Sequence, residues 1–292
     1  MSPGPERDRR GIPLRAVIPN AVTALALCSG LTAIRFGISG DWDKAAMFIA
    51  FSAVLDGMDG RIARALRGQS RFGAELDSLS DLVAFGVAPA LIVYLWVLRE
   101  WNPYGWVFGL AYAVCMALRL ARFNARIDVE DQPHKSAGFL TGVPAPAGAA
   151  VMLLPILLWL GSDQQWHWLK DYRVVAPWAA FSAFMIISSV ATWSLGSLRL
   201  RRNVRFEAIV LIVILGAALF TVPWQTLSLI VIVYLAMIPF SMASYAKVRR
   251  QRATQTSSPS PSGSAEGGPP AAILPADRPA RRRRSEPNEP SE

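Results

Sequence analysis

Four aspartates lie close together in sequence beside strongly apolar segments of this 292-residue chain. Asp56 and Asp59 are three positions apart, and Asp77 and Asp81 are four apart. On helices, either spacing places both side chains on one face, about 5–6 Å apart. Clustered carboxylates repel one another and need cations, and their oxygens favour Mg²⁺, Mn²⁺ or Ca²⁺ over zinc. The pattern predicts a site for two divalent ions, as is common in phosphoryl transfer.

Small residues accompany these aspartates at helical spacing. Gly60 lies four residues after Asp56, and Ala63 lies four after Asp59. A glycine inside a helix lowers helix stability by about 1 kcal/mol relative to alanine. Its presence therefore indicates that the position has a functional role. We expect a strip without large side chains, against which a bulky substrate can lie. Arg64, one turn beyond Gly60, is a candidate partner for a phosphate group.

The elements that must position these residues are predicted to be membrane helices. The chain is 52% hydrophobic and only 17% charged, whereas soluble domains carry about 25% charged residues. Its mean hydropathy is +0.31. A spanning helix needs about 20 mainly apolar residues. The candidate spans are 18–39, 43–60, 79–98, 104–121, 142–161, 174–197, 207–222 and 225–246.

The distribution of basic residues predicts the orientation of these spans. With the N-terminus in the cytoplasm, 25 of the 30 Lys and Arg residues fall in cytoplasmic segments, as the positive-inside rule requires. We therefore expect a multi-pass protein of the cell membrane, with both termini and all four aspartates on the cytoplasmic side. The same distribution explains the net charge of +9 without nucleic acid as a partner.

Three regions are predicted along the chain. Residues 1–16 form a cytoplasmic N-terminal arm, and residues 17–248 form a transmembrane catalytic domain of about eight helices. Residues 249–292 are rich in Pro, Ser and Gly, and we expect a disordered, basic cytoplasmic tail. The two cysteines and two histidines are not clustered, which argues against a zinc or copper site.

The segment from Asp56 to Asp81 follows the pattern D-x2-DG-x2-AR-x8-G-x3-D-x3-D. At every position it resembles the signature of the CDP-alcohol phosphotransferase family. The resemblance implies an all-α integral membrane enzyme with a six-helix core, to which the last two spans add about two C-terminal helices. It also implies transfer of a phosphatidyl-type group from a CDP-linked lipid to an alcohol, with release of CMP. Family members are commonly homodimers, and we expect one here.

The resemblance also implies roles for individual residues. All four aspartates would bind two divalent ions, Mg²⁺ or Mn²⁺, and Asp81 would in addition be the general base toward the acceptor hydroxyl. The stretch PNAVT resembles an Asn-x2-Thr element near the nucleotide in many members, which makes Asn20 and Thr23 candidates. Polar residues that cap the start of a helix would look the same. The remaining nucleotide-contacting candidates are Gly60, Ala63, Arg64 and Gly73.

Three further stretches resemble the bacterial and archaeal phosphatidylserine synthases within this family. They are residues 76–90 (LDSLSDLVAFGVAPA), 119–124 (RLARFN) and 138–149 (GFLTGVPAPAGA). This resemblance implies CDP-diacylglycerol as the donor and L-serine as the acceptor. Serine needs a cation for its carboxylate and a hydrogen-bond acceptor for its ammonium group. The candidates for these contacts are Arg119, Arg122, Asn124 and Arg126.

Two alternatives stay open at the level of sequence. One is the same chemistry on inositol phosphate or glycerol 3-phosphate. Leu82 argues against the second acceptor, because relatives that use it typically carry a lysine after the last aspartate, whereas the arginines leave inositol phosphate open. The other alternative is a divalent-cation transporter, but a transport site is expected near the bilayer midplane, and these aspartates lie at span ends.

Overall fold

The computed structural model describes residues 14–66, 68, 70–127, 139–141, 143–188, 191–193 and 205–256. The chain divides into two units, Met1–Arg249 and Arg250–Glu292, and the first unit contains the site. The elements are α1 (Leu14–Ile38), α2 (Trp42–Ala65), α3 (Arg71–Asp81), a π-helical segment (Leu82–Val87), α4 (Ala88–Trp96), α5 (Gly105–Ile127), β1 (Phe139–Thr141), α6 (Ala145–Gly161), α7 (Tyr172–Ile187), β2 (Ala191–Trp193), α8 (Arg205–Thr221) and α9 (Pro223–Thr256).

The α3 helix, the π-helical segment and α4 form one continuous helix. The Ala88 N–H donates to the carbonyl of Val83, five residues earlier, which is the π-helical pattern. If this helix is counted once, the described residues contain six long helices up to α7 and two after it. Three stretches are long and apolar enough to cross a membrane, Val17–Ile38, Arg71–Trp96 and Gly105–Ala125, and four shorter helices are also apolar. The prediction of an all-α, multi-pass membrane protein is confirmed.

Several element boundaries differ from those predicted. The sixth span was expected to reach residue 197, but α7 ends at Ile187 because Ser188 has extended backbone angles. Residues Ala191–Trp193 then form β2, which pairs antiparallel with β1. This pairing, which the sequence did not predict, satisfies backbone groups that the helix no longer pairs. The α1 helix begins at Leu14, before the start predicted for the first span at residue 18. The α9 helix runs to Thr256, beyond the end predicted for the last span at residue 246.

The α1 helix is the element against which the site helices are assembled. Ser52 of α2 donates a hydrogen bond of 2.9 Å to the carbonyl of Ala26 on α1. At the crossing with the π-helical segment, a Cβ on Gly30 would lie 2.7 Å from the Cα of Ala84. Only glycine therefore permits this approach of two backbones, as is common between membrane helices.

Aromatic side chains pack around the end of α4 that lies farthest from the aspartates. The ring centroid of Trp101 lies 5.4 Å from that of Tyr172 and 5.7 Å from that of Phe108. The rings of Trp96 and Trp159 are 5.7 Å apart. Tryptophan and tyrosine are enriched at membrane–water interfaces, so this end suits a position near one surface of the bilayer.

The two C-terminal helices differ in their surroundings. The α8 helix exposes apolar side chains around its circumference, and Phe220 near its end is 94% exposed. Such a surface is as apolar as lipid chains. The α9 helix instead packs against α6, where Gln225 Nε2 donates a hydrogen bond of 2.7 Å to the carbonyl of Gly161.

Candidate active site

Three aspartates from two helices form one acidic cluster. Carboxylate oxygens of Asp56, Asp59 and Asp77 lie within 4.8 Å of one another. The first two come from the C-terminal part of α2 and the third from α3, where helical spacing turns them toward each other. Because oxygen ligands suit hard divalent cations and like charges this close need a counter-ion, the cluster fits a divalent metal ion.

Asp81, one turn after Asp77 on the same helix, reaches this cluster as well. Its carboxyl group is within hydrogen-bonding range of the carboxyl group of Asp56. The structure thus brings together all four predicted metal-binding carboxylates.

Thr23 holds one member of the cluster in place. Its Oγ1 donates a hydrogen bond of 2.7 Å to Oδ2 of Asp59, and Asp59 is only 6% exposed. The carbonyl of Thr23 in turn accepts a hydrogen bond of 3.2 Å from Ser80 Oγ on α3. Because α1 begins at Leu14, Thr23 and Asn20 lie inside the helix, and the alternative that they cap its start is wrong.

A cavity of about 790 Å³ opens beside the cluster. The aspartates on its wall are Asp59 and Asp77, and Phe123 of α5 contributes an aromatic ring. All six residues predicted to contact the nucleotide also line it: Asn20, Thr23, Gly60, Ala63, Arg64 and Gly73.

Glycines create the space in this cavity. A Cβ on Gly60 would meet no other atom within 4 Å, whereas a Cβ on Gly73 would lie 2.7 Å from Oδ1 of Asn20. The Gly73 N–H donates a hydrogen bond of 3.0 Å to Ser70 Oγ, which caps the start of α3. Arg64 Nε donates to the carbonyl of Gly60 at 3.0 Å, and this bond orients its guanidinium group at the cavity wall.

The structure does not bring all four predicted acceptor-binding residues to one place. Asn124 Nδ2 donates a hydrogen bond of 2.9 Å to Ser78 Oγ on α3. Arg119 interacts electrostatically with Asp81, and its buried Nε has no hydrogen-bond partner among the described residues. Arg122 is exposed, and the side chain of Arg126 lies outside what the structure describes. Arg119 and Asn124 are therefore the two candidates that the structure brings to the α3 side of α5.

Sequence reasoning missed several residues that shape the site. Ser78 and Ser80 lie between Asp77 and Asp81, and each connects α3 to a neighbouring helix. These serines could have been predicted, because polar residues inside an apolar membrane helix often have a function. Phe123, in contrast, carried no such signal, because an aromatic residue on a membrane helix is ordinary.

The fold and the site together define a class of integral membrane protein in which a helix-borne aspartate cluster, suited to a divalent metal ion, lies beside a cavity. A family model described as CDP-alcohol phosphatidyltransferase matches residues 16–192, and a second, described as CDP-alcohol phosphatidyltransferase 2, matches residues 203–239. The chain belongs to the CDP-alcohol phosphatidyltransferase family, as the signature indicated. The transporter alternative is therefore set aside.

Similar proteins of this family are known in several bacteria. The CDP-diacylglycerol–serine O-phosphatidyltransferase of Mycobacterium tuberculosis is 39% identical over 241 residues, which cover 82% of this chain and 83% of the relative. The protein of the same name from Mycobacterium leprae is 37% identical over 238 residues, covering 81% and 77%. That from Helicobacter pylori is 37% identical over 154 residues, covering 53% and 61%.

Proposed function

We propose that this protein transfers the phosphatidyl group of CDP-diacylglycerol to the hydroxyl group of L-serine, giving phosphatidylserine and CMP. The observation that carries the reaction is the cluster of Asp56, Asp59 and Asp77, whose carboxylate oxygens lie within 4.8 Å of one another beside the cavity. For the acceptor, the buried Nε of Arg119 has no hydrogen-bond partner among the described residues, and this cation suits the carboxylate of serine. The names of the similar mycobacterial proteins support the same acceptor.

The cavity beside the aspartates suits the head of the lipid donor. Gly60 and Ala63 leave a wall without large side chains, on which the CMP part can lie. Arg64 at the same wall supplies a cation for the pyrophosphate. Apolar side chains are exposed on the outer faces of α1 and α2, among them Leu25, Phe51 and Val54, so the acyl chains of the donor can remain in the bilayer.

The four aspartates are proposed to hold two divalent ions, Mg²⁺ or Mn²⁺. When bound, divalent cations offset the negative charge that develops on the phosphate groups and on the departing CMP. Thr23 contributes by fixing the orientation of the Asp59 carboxylate through its 2.7 Å hydrogen bond. Such an orienting contact is typical of metal-binding carboxylates.

Asp81 is proposed to act as the general base. As the serine hydroxyl oxygen attacks the phosphorus next to diacylglycerol, Asp81 takes the hydroxyl proton. The bond from this phosphorus to the bridging oxygen breaks in the same displacement, and CMP leaves with the bond's electrons. Serine's carboxylate is only two carbons from its hydroxyl, so a cation at Arg119 beside Asp81 can bind it. The side-chain oxygens of Asn124 and Ser78 accept hydrogen bonds from its ammonium group.

The proposed setting of the reaction follows the charge distribution of the chain. Placing 25 of its 30 basic residues in the cytoplasm puts both termini and the aspartates on the cytoplasmic side of the cell membrane. Serine is soluble and meets the lipid donor there. We further propose that the enzyme works as a homodimer, as is common among members of this family.

An acceptor panel tests the proposal. Purified full-length protein is supplied with CDP-diacylglycerol and Mg²⁺ or Mn²⁺, and CMP release and lipid product are followed with serine, inositol, inositol phosphate or glycerol 3-phosphate. We expect release that depends on serine and is lost in Asp81→Asn. Turnover only with another acceptor would exclude serine, and no CMP release from folded wild-type protein with any acceptor would contradict the proposed reaction.

A further inference from the structure

Thr23 of α1 is hydrogen-bonded to both of the helices that carry the aspartates. Its hydroxyl group donates a hydrogen bond of 2.7 Å to Oδ2 of Asp59 on α2. Its carbonyl oxygen accepts a hydrogen bond of 3.2 Å from the hydroxyl group of Ser80 on α3. All three residues are buried. Two hydrogen bonds in series therefore connect α3, through α1, to a carboxylate of the acidic cluster on α2.

The hydroxyl group of Thr23 has a single hydrogen and two acceptors within reach. The carbonyl oxygen of Pro19, one turn earlier on α1, lies 3.1 Å from Oγ1, whereas Oδ2 of Asp59 lies at 2.7 Å. A charged acceptor at a shorter distance forms the stronger hydrogen bond. The hydrogen is therefore directed at Asp59, and the bond orients that carboxylate.

The hydrogen bond of Ser80 connects two helices, although a serine inside a helix commonly donates to its own helix. The usual acceptor is the carbonyl one turn earlier, and Ser78 Oγ bonds in this way to the carbonyl of Ala74 at 3.1 Å. Ser80 instead donates to Thr23 of α1. A carbonyl oxygen has two lone pairs, so it can accept this bond in addition to one within its own helix. The Ser80 hydroxyl group thus serves the contact between α3 and α1.

The Ser80 contact lies between two other close approaches to α1. Before it, a Cβ on Gly73 of α3 would lie 2.7 Å from Oδ1 of Asn20. After it, a Cβ on Gly30 of α1 would lie 2.7 Å from the Cα of Ala84. Small residues permit these approaches but give no directional contact. The hydrogen bond of Ser80 supplies the direction between them.

The two hydrogen bonds reach both pairs of aspartates. Ser80 lies three residues after Asp77 and directly before Asp81, so its hydrogen bond joins α3 to α1 at the level of that pair. Thr23 joins α1 to α2 at Asp59, a member of the other pair. The α1 helix therefore connects the carboxylates of α2 with those of α3.

We propose that Ser80 is a positioning residue for the divalent ions: through Thr23, it sets the separation between the carboxylates of α2 and those of α3. This inference rests on the proposed function, in which these carboxylates hold the ions. Mg²⁺ needs near-octahedral ligands at about 2.0–2.1 Å, whereas Ca²⁺ accepts a more flexible geometry at about 2.3–2.6 Å. A cluster whose two halves can move apart loses affinity for the smaller ion first. Ser80 thus contributes to the choice of ion as well as to affinity.

The test measures metal binding by the purified full-length protein without substrates. Bound Mn²⁺ is determined from the electron paramagnetic resonance signal of the free ion, and Mg²⁺ and Ca²⁺ are measured by their competition with Mn²⁺. In Ser80→Ala, we expect the Kd for Mg²⁺ to rise about tenfold, as when other contacts that orient metal ligands are lost. The Kd for Ca²⁺ should rise by a smaller factor, because its ligands can rearrange.

Two further variants control for the loss of a buried hydroxyl group. Ser182 is a buried serine of α7 whose hydroxyl group donates at 2.9 Å to the carbonyl of Trp178 on its own helix. Ser182→Ala should therefore bind all three ions as the wild-type protein does. Ser80→Cys keeps a weak donor at the same position, and its Kd for Mg²⁺ should lie between those of the wild type and Ser80→Ala.

A double substitution tests whether the two hydrogen bonds act in series. Thr23→Val removes the hydrogen bond to Asp59 and breaks the connection at its second step. Adding Ser80→Ala to this variant should change the Kd for Mg²⁺ little further, because both substitutions interrupt one path. Additive effects of the two substitutions would overturn the inference.

The outcomes distinguish this inference from the proposed function. If the wild-type protein binds Mg²⁺ and Ser80→Ala binds it equally well, Ser80 does not position the ions, and the proposed function stands. Equal losses of affinity for Mg²⁺ and Ca²⁺ would also overturn the inference, because they would show a general disturbance of the fold. If the wild-type protein binds no divalent ion, the proposed metal site itself fails.

Discussion

At the C-terminal end of α2, Asp56 and Asp59 alternate with Gly57 and Gly60, at which an added Cβ would meet nothing within 4 Å. At the N-terminal end of the same helix, Ala45 and Ala46 are buried against neighbouring helices. The continuous α3–α4 helix likewise has one end beside the open site and one end that is closely packed. It begins at the aspartates and the cavity, and it ends at the tightly packed Trp96.

The residues proposed for the reaction thus lie at one end of these helices, and the close packing that stabilises the fold lies at the other end. Carboxylates that crowd together without a cation destabilise the fold, and a cavity forgoes the dispersion contacts of close packing. The apolar end supplies these contacts through buried helix crossings and aromatic rings. Substitutions at the two ends should therefore affect different measurements.

The largest effect is expected from Asp81→Asn. Losing a general base lowers kcat by about 10²–10⁴-fold, while the folded state should be no less stable because one repelling charge is gone. CMP release and thermal unfolding in detergent measure both quantities. Asp43→Asn, in the first turn of α2 at the other end, is the control and should keep full activity. An Asp81→Asn enzyme that retains a tenth of the wild-type rate would contradict the proposed base.

The next largest effect is expected from a methyl group placed in the cavity. Gly60→Ala should raise the KM for CDP-diacylglycerol by about ten- to a hundredfold, yet stabilise the helix by up to about 1 kcal/mol. Gly57→Ala has equal space around its Cβ but does not line the cavity, so it should stabilise without changing the KM. Equal kinetic effects of the two substitutions would show that the cavity does not hold the donor.

A smaller effect is expected where α1 orients the acidic cluster. Thr23→Val removes the hydrogen bond to Asp59 and should raise the Mg²⁺ or Mn²⁺ concentration for half-maximal activity by about tenfold. Thr32→Val is the matched control, because Thr32 Oγ1 donates its hydrogen bond to the carbonyl of Cys28 on the same helix. Metal titrations of initial rate compare the two. If both variants respond alike, the Thr23 contact does not serve metal binding.

The smallest effect on kinetics is expected at the packed crossing of α1 and the π-helical segment. Gly30→Ala pushes these backbones apart and should destabilise the fold by about 1–3 kcal/mol, with both KM values unchanged for the protein that remains folded. Gly216→Ala on α8, where nothing lies within 4 Å, should not destabilise. Unfolding curves in detergent test this, and a shifted serine KM in Gly30→Ala would show that the two ends are coupled.

Local spacing was enough to predict the centre of this site. The three- and four-residue separations of the aspartates turned them toward one volume. The signature and the Asn-x2-Thr element together supplied six of the residues that line the cavity. Apolar length likewise predicted the helices. These features depend on residues that are near each other in sequence, so a local sequence pattern is enough to predict them.

Contacts between distant segments could not be predicted in the same way. The hydrogen bond from Thr23 to Asp59 joins residues 36 positions apart, and that from Asn124 to Ser78 joins residues 46 positions apart. The end of α7 at Ile187 was also missed, because the apolar sequence that follows can continue a helix or enter a strand. Its pairing with β1 is decided by a partner segment rather than by local composition.

The π-helical segment gives the long central helix a rotational offset. An α-helix turns about 100° for each residue, and a turn closed by an i to i+5 bond takes in one extra residue. The two halves of the helix are therefore rotated relative to each other, compared with a regular α-helix of the same residues. One half carries Asp77 and Asp81, and the other ends at Trp96. If all of these residues instead formed a regular α-helix, the carboxylates would turn roughly 100° away from α2. The extra residue in this short segment thus determines the direction in which the carboxylates of Asp77 and Asp81 point.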